Sequence, residues 1–163
     1  MSLKVAIPLL IHLFATIVWI GGMFFSHFFL RPVLKQTLEP PARIQLALGV
    51  FRRFFPIVWV CILALWASGA WVTIVHYAMQ VQVHVAVMAA LALAMTLVFA
   101  FLFAFPYRKM QQAVDDENWR RASAKFSNIR KLMGLNLILG LATVAVATLG
   151  PAIDLTRHGW LAP

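Results

Sequence analysis

Residues 81–105 read VQVHVAVMAALALAMTLVFAFLFAF, twenty-five residues with no Asp, Glu, Lys or Arg. Three further runs share that property: residues 5–30, 54–75 and 132–149. A bilayer core is spanned by about 20 apolar residues in a helix, and each run is close to that length. Charges are costly at that depth, so their absence marks four membrane spans. The runs lack the strict apolar–polar alternation of barrel strands. Backbone polar groups inside lipid must pair within the segment, so the runs are read as helices. The expected fold is an all-α, integral membrane four-helix bundle.

Composition agrees with this. The chain is 63% hydrophobic and 12% charged, against about 45–50% and about 25% in soluble domains. Four spans with their connections use nearly all of residues 1–163, so a single transmembrane domain is expected. The first run is too long for a signal-peptide core and lacks a small-residue cleavage site, so it reads as a retained span.

The net charge is +9, and its placement argues for a membrane rather than nucleic acid. The connection 31–53 carries Arg31, Lys35, Arg43, Arg52 and Arg53. The connection 107–131 carries Arg108, Lys109, Arg120, Arg121, Lys125, Arg130 and Lys131. Only Lys4 and Arg157 lie at the other end. The positive-inside rule then makes both basic connections cytoplasmic loops and puts both termini on the outer side. Anionic lipid headgroups are the expected neighbours of the basic segments. Ala42–Arg53 is read as an interfacial helix leading into the second span. Pro106 is read as the end of the third span. The acidic run Asp115-Asp116-Glu117 is read as the start of a helix feeding the fourth, and Gly150-Pro151 as that span's end.

Polar and small residues fall on single faces of the spans. The first carries His12, Thr16, Trp19, Gly22, Met23 and Ser26. The second offers Trp59, Trp66, Gly69 and Thr73. The third carries His84, Met88 and Met95; the fourth, Asn136, Gly140 and Thr143. Most of these positions are read as bundle packing by small residues.

The histidines differ. Of five, His12, His76, His84 and His158 gather at the end read as external, and only His27 lies toward the other. At a rise of 1.5 Å per residue, His12 sits roughly 10 Å inside its span. An ionisable residue at that depth normally faces the bundle and has a partner. His84 shares that depth if the third span begins near Ala78, and is shallower if it begins at Val81.

Two readings follow. His12 and His84 as axial ligands would hold a non-covalent haem b. Ala15 and Gly22 would admit the ring, Trp19 and Trp66 would wall it, and Lys4 or Arg157 would reach its propionates. That implies membrane electron transfer, as in a haem-dependent oxidoreductase, with quinone or another membrane redox protein as partner. Alternatively the outer histidines capture copper and the intramembrane methionines Met88, Met95 and Met23 pass it on, since soft thioether and thiolate ligands suit Cu(I). His76 and Met88 are secondary metal candidates, and His76 and His158 otherwise read as loop residues in water. The lone Cys61 reads as an apolar filler. A third reading is a non-catalytic assembly partner of a larger membrane complex. The spans hold no carboxylate for a proton relay, and the chain has no phosphate-binding glycine loop and no covalent haem attachment motif.

Several segments also resemble known families. His12-Leu13-Phe14-Ala15, then Trp19-Ile20-Gly21-Gly22-Met23-Phe24-Phe25 and Leu30-Arg31-Pro32, resemble the first helix of the copper resistance D (CopD) family. Arg52-Arg53-Phe54-Phe55-Pro56, Ser68-Gly69, Ile129-Arg130-Lys131-Leu132 and Leu135-Asn136-Leu137-Ile138-Leu139-Gly140 extend that resemblance along the chain. It implies an inner-membrane protein linked to copper handling. More distantly the chain is similar to the HemJ-type protoporphyrinogen oxidases, a four-helix group that binds haem b. The resemblance implies a haem role for His12 and His84. The element Val83-His84-Val85-Ala86 lacks the lysine expected two residues after the histidine, which argues against protoporphyrinogen oxidation.

Overall fold

In the computed structural model, which describes residues 3–76 and 82–157, every long element is helical. The side chains of residue 76 and of residues 153–157 lie outside that description, as do residues 77–81 and 158–163. Helix α1 (Leu3–Phe25) runs through one wide turn, Ser26–Leu30, into α2 (Arg31–Thr37). Helix α3 (Pro40–His76) is continuous. Helix α4 (Val83–Leu102) passes through a second wide turn, Phe103–Tyr107, into α5 (Arg108–Asp115). Helix α6 (Trp119–Arg157) completes the chain. The four rods pair as α1 with α3 and α4 with α6, and α6 also touches α1 and α3. The protein is an all-α membrane four-helix bundle.

The rods are longer than the spans. Each contains 33 to 36 residues in one apolar-cored stretch, or roughly 50 Å of helix, against a hydrocarbon core of about 30 Å. The excess lies at the basic end. The segments expected there as loops are therefore helical extensions, joined only by residues 38–39 and 116–118. The helix expected over 42–53 is present as the start of α3. The helix feeding the fourth span begins at Trp119, where the Asn118 side-chain oxygen accepts a 3.0 Å bond from the Arg121 backbone N–H. Of the acidic residues before it, Asp115 ends α5 and Asp116 and Glu117 form the turn, with Glu117 in the left-handed region at φ 54°.

Two expected helix ends, at Pro106 and at Gly150-Pro151, are corrected. The rods continue past Pro32, Pro106 and Pro151. A proline inside a helix lacks its donor and clashes with the carbonyl four residues earlier. The wide turns relieve this for the first two, because opening the hydrogen-bond ladder moves that carbonyl away. The carbonyl facing Pro32 belongs to Phe28, inside the first wide turn, and Pro106 lies within the second.

The two ends of the bundle pack by different physics. At the basic end Ile44, Leu48, Phe51, Met110, Ala122 and Ile129 form a buried apolar core, of the kind that water drives together. Through the apolar half, outward residues such as Phe14, Ile17, Leu63, Leu97 and Ile138 are exposed and form the lipid-facing belt. Phe55 joins the two regimes. It is 1% exposed, stacks on Phe51 at 5.0 Å, and meets Phe99 edge-on at 5.4 Å and Tyr107 at 4.9 Å. Replacing such a residue by alanine costs about 3–5 kcal/mol. Phe55→Ala is therefore expected to lower the thermal unfolding midpoint in detergent sharply, while Val60→Ala on the lipid face leaves it nearly unchanged. Equal midpoints for the two variants would contradict this assignment of the core.

Candidate functional site

His12 is held by the second span. Its Nδ1 lies 2.9 Å from Ser68 Oγ. The single Ser68 hydroxyl proton is directed to the Ala64 carbonyl at 2.6 Å, so Ser68 accepts and His12 Nδ1–H donates. In a neutral imidazole this leaves the Nε2 lone pair available. The ring also rests on Gly69, where an added Cβ would lie 3.6 Å from His12 Cε1.

His84 is seated differently. It is 7% exposed and packs on α6 so closely that a Cβ at Gly150 would collide with His84 Cβ. The described neighbours of the two histidines thus lie on different helices, α3 for His12 and α6 for His84. The other residues expected around a haem are also spread. The space over Gly22 is filled by the Phe54 ring, so this glycine serves the α1–α3 contact. Trp19 is buried, edge-on to Phe99 at 6.3 Å, and its Nε1 has no hydrogen-bond partner. Trp66 is 40% exposed on the outer surface, donating to Thr96 Oγ1 at 3.2 Å. Of the two cations expected at propionates, Lys4 is exposed, with its carbonyl accepting from Trp71 Nε1 at 2.9 Å. The side chains of Arg157 and His76, and all of His158, lie outside the described residues.

A second arrangement runs along α6. Its three glycines within the apolar half each receive a donor side chain. Gly150 faces His84. Gly140 faces Met95, whose Cε would lie 3.2 Å from an added Cβ, together with Ile20. Gly134 faces His27, whose Cε1 would lie 3.5 Å away. Removing Cβ lets the neighbouring helix and its side chain approach closely. Met95 is 3% exposed, and its backbone carbonyl accepts a 3.2 Å bond from Asn136 Nδ2. Asn136 Oδ1 is buried without a partner. Thr143 Oγ1 lies 3.9 Å from Met95 Sδ. Met88, half-buried, falls one turn from His84 on α4. At the basic end Met23, His27 and Met133 border a common cavity of about 20 Å³, close to the 10–15 Å³ a single water requires.

His84, Met95 and the Met23–His27–Met133 group therefore follow one another along α6. Successive levels are separated by roughly 15 and 9 Å of helix rise. All are imidazole or thioether donors, the chemistry that suits a soft cation. Among the described residues no three His, Cys, Asp or Glu side chains form a metal-binding group. This is a series of low-coordinate positions, not a closed structural site. Cys61 is buried in α3. His27 and Met133 were not singled out by sequence reasoning, although Gly134 beside Met133 at the start of the fourth apolar run carried the signal.

The fold and this seam define a multi-pass α-helical membrane protein with soft donors buried along one helix. The profile of the family described as copper resistance protein D matches residues 48–149, more than half of the chain, and the chain belongs to that family. The match takes in α4, α5, most of α3 and α6 to Leu149, and so includes Met95, Asn136 and Gly140; α1 and His12 fall outside it. No curated protein and no solved structure matches the chain.

Because the atoms facing Gly150 belong to the root of His84 and not to a flexible tip, Gly150→Ala is expected to push α4 off α6. The variant should unfold at a clearly lower temperature than wild type. Gly49→Ala, with nothing within 4 Å, should be neutral or gain up to about 1 kcal/mol from helix propensity. Indistinguishable melting of Gly150→Ala and wild type in detergent would contradict the close α4–α6 contact.

Proposed function

We propose that this protein handles copper within the membrane, importing or buffering it along the α6 seam. The observation that carries the reading is the serial placement of His84, Met95 and the Met23–His27–Met133 group against three glycines of one helix. Family membership supports it. Cu(I) prefers soft ligands, and a cation moving through an apolar bundle needs binding strong enough to enter and weak enough to leave. Separate stations of one to three donors meet that requirement better than one tight site.

In this reading the basic end is cytoplasmic by the positive-inside rule, and both termini face the periplasm of a bacterial inner membrane. His12, with its Nε2 lone pair available and its orientation set by Ser68, stands at the periplasmic end as a capture ligand. Such supporting hydrogen bonds fix the ring and raise its basicity toward a metal. His84 is the first buried station, with Met88 one turn further in. The haem b reading, with His12 and His84 as axial ligands and quinone-linked electron transfer, is less well supported. Of the two small residues meant to admit the ring, Gly22 is covered by Phe54, and one of the two walls, Trp66, is 40% exposed.

The test is copper flux. Purified protein in liposomes, given Cu(I) under a reductant, is expected to accumulate copper faster than protein-free liposomes. Met95→Leu keeps side-chain volume and removes the thioether, so packing should survive. Its flux is expected to fall about tenfold, the lower end of what lost metal-site contacts cost. Unchanged flux in Met95→Leu would contradict the seam. A purified protein that shows a Soret band and moves no copper would favour haem instead.

A further inference from the structure

A second feature lies at the basic end, beside the cavity that Met23, His27 and Met133 border; Arg31, Leu34, Phe126 and Arg130 line both. A cavity of about 200 Å³ opens between α2, α3 and α6, well above the size needed for a single water. Four cations border it: Arg31 and Lys35 from α2, Arg43 from α3 and Arg130 from α6. The hydroxyl residues Ser123 and Ser127 stand on the α6 wall, and no Asp or Glu lines the cavity. Arg31 and Arg43 act on Arg130 by like-charge repulsion. Arg130 Nε is buried without a hydrogen-bond partner, while its guanidinium sits 5.7 Å over the Phe126 ring.

Gathering guanidinium groups at one cavity without a carboxylate is unfavourable unless an anion joins them. Repulsion between like charges grows as water is excluded, and a buried unpaired donor carries its own desolvation cost. Three forked guanidinium groups and two hydroxyls suit a tetrahedral oxyanion, since each fork can give two parallel N–H bonds to paired oxygens. Height selects the kind of anion. Arg31 directly follows the apolar run 5–30, and Arg130 lies two residues before the run that begins at Leu132. The cavity therefore stands at the level where a bilayer places its phosphates, and Leu34, Ile44 and Phe126 give it an apolar wall. Basic pockets between helices at this level are suited to anionic headgroups.

We propose that this cavity binds a phosphate-bearing anion through Arg31, Arg43 and Arg130, assisted by Ser123 and Ser127. The shared chemistry is the phosphate oxygens, whether carried by a lipid headgroup or by a soluble phosphate.

The experiment uses the full chain in a phosphate-free maltoside detergent and buffer and follows thermal unfolding during titration with phosphatidylglycerol, or separately with inorganic phosphate. Wild type is expected to gain stability with one or both probes, as binding to the folded state requires. The Arg43→Gln/Arg130→Gln variant is expected to need at least about tenfold more probe for the same gain, since hydrogen bonds to charged groups are each worth about that factor. With no anion present its midpoint should not fall below wild type, because repulsion has been relieved. Arg120→Gln/Arg121→Gln, which removes the same charge from α6 away from the cavity, should respond like wild type. Should the double cavity variant fold poorly, Arg130→Lys keeps the charge without the fork, and should weaken the response at an unchanged starting midpoint. A response to phosphatidylglycerol alone assigns the site to lipid, and a response to inorganic phosphate assigns it to a soluble anion. Equal responses from the cavity and control variants, or no response from wild type, would overturn the proposal.

Discussion

The apolar half of this bundle depends on how closely α6 can be approached. Lipid supplies no hydrophobic force between helices, so association there rests on contact between surfaces that fit. Three glycines on α6 provide those surfaces, and the side chains that fill them are His84, Met95 with Ile20, and His27. The same missing Cβ atoms that let the helices close also draw histidine and methionine into the interior. Packing and the candidate chemistry are therefore one feature here: enlarging those glycines would move the donors as well as the helices.

At the basic end the constraint is reversed. Water drives apolar side chains together, and the helices run on as rods around a core built from Ile44, Phe51, Met110 and Ile129. The charges are held outside that core or gathered at its upper rim, where Arg31, Arg43 and Arg130 meet. Phe55, ringed by Phe51, Phe99 and Tyr107, links the two regimes. One end of the molecule thus holds His84 and Met95, and the other sets Met23, His27 and Met133 beside concentrated positive charge.

Most of the architecture was legible in the sequence. Long charge-free runs such as residues 81–105 leave helices as the only choice in lipid, and membership of the copper resistance protein D family agrees with segments such as Arg52-Arg53-Phe54-Phe55-Pro56 that lie inside the matched region. Local rules failed where tertiary packing outweighed them. Pro106 read as a stop, yet it is accommodated by a wide turn that keeps its rod continuous. Partners were harder to read than positions. His12 and His84 stand out in the sequence as ionisable residues within apolar runs. Their seating on Ser68 and Gly150 depends on the rotation of each helix about its axis, and spacing within one helix carries no information about its neighbour. Gly22 illustrates the same limit, since an open face and a face filled by Phe54 look alike in sequence.

The central claim is that thioether and imidazole side chains on the α6 seam are copper ligands. X-ray absorption at the copper K-edge, on protein loaded with Cu(I) in liposomes, tests it most directly. The account predicts a low-coordinate Cu(I) edge with both sulfur and nitrogen scatterers, and loss of sulfur signal in Met95→Leu. A first shell of oxygen and nitrogen alone, unchanged by that substitution, would contradict it.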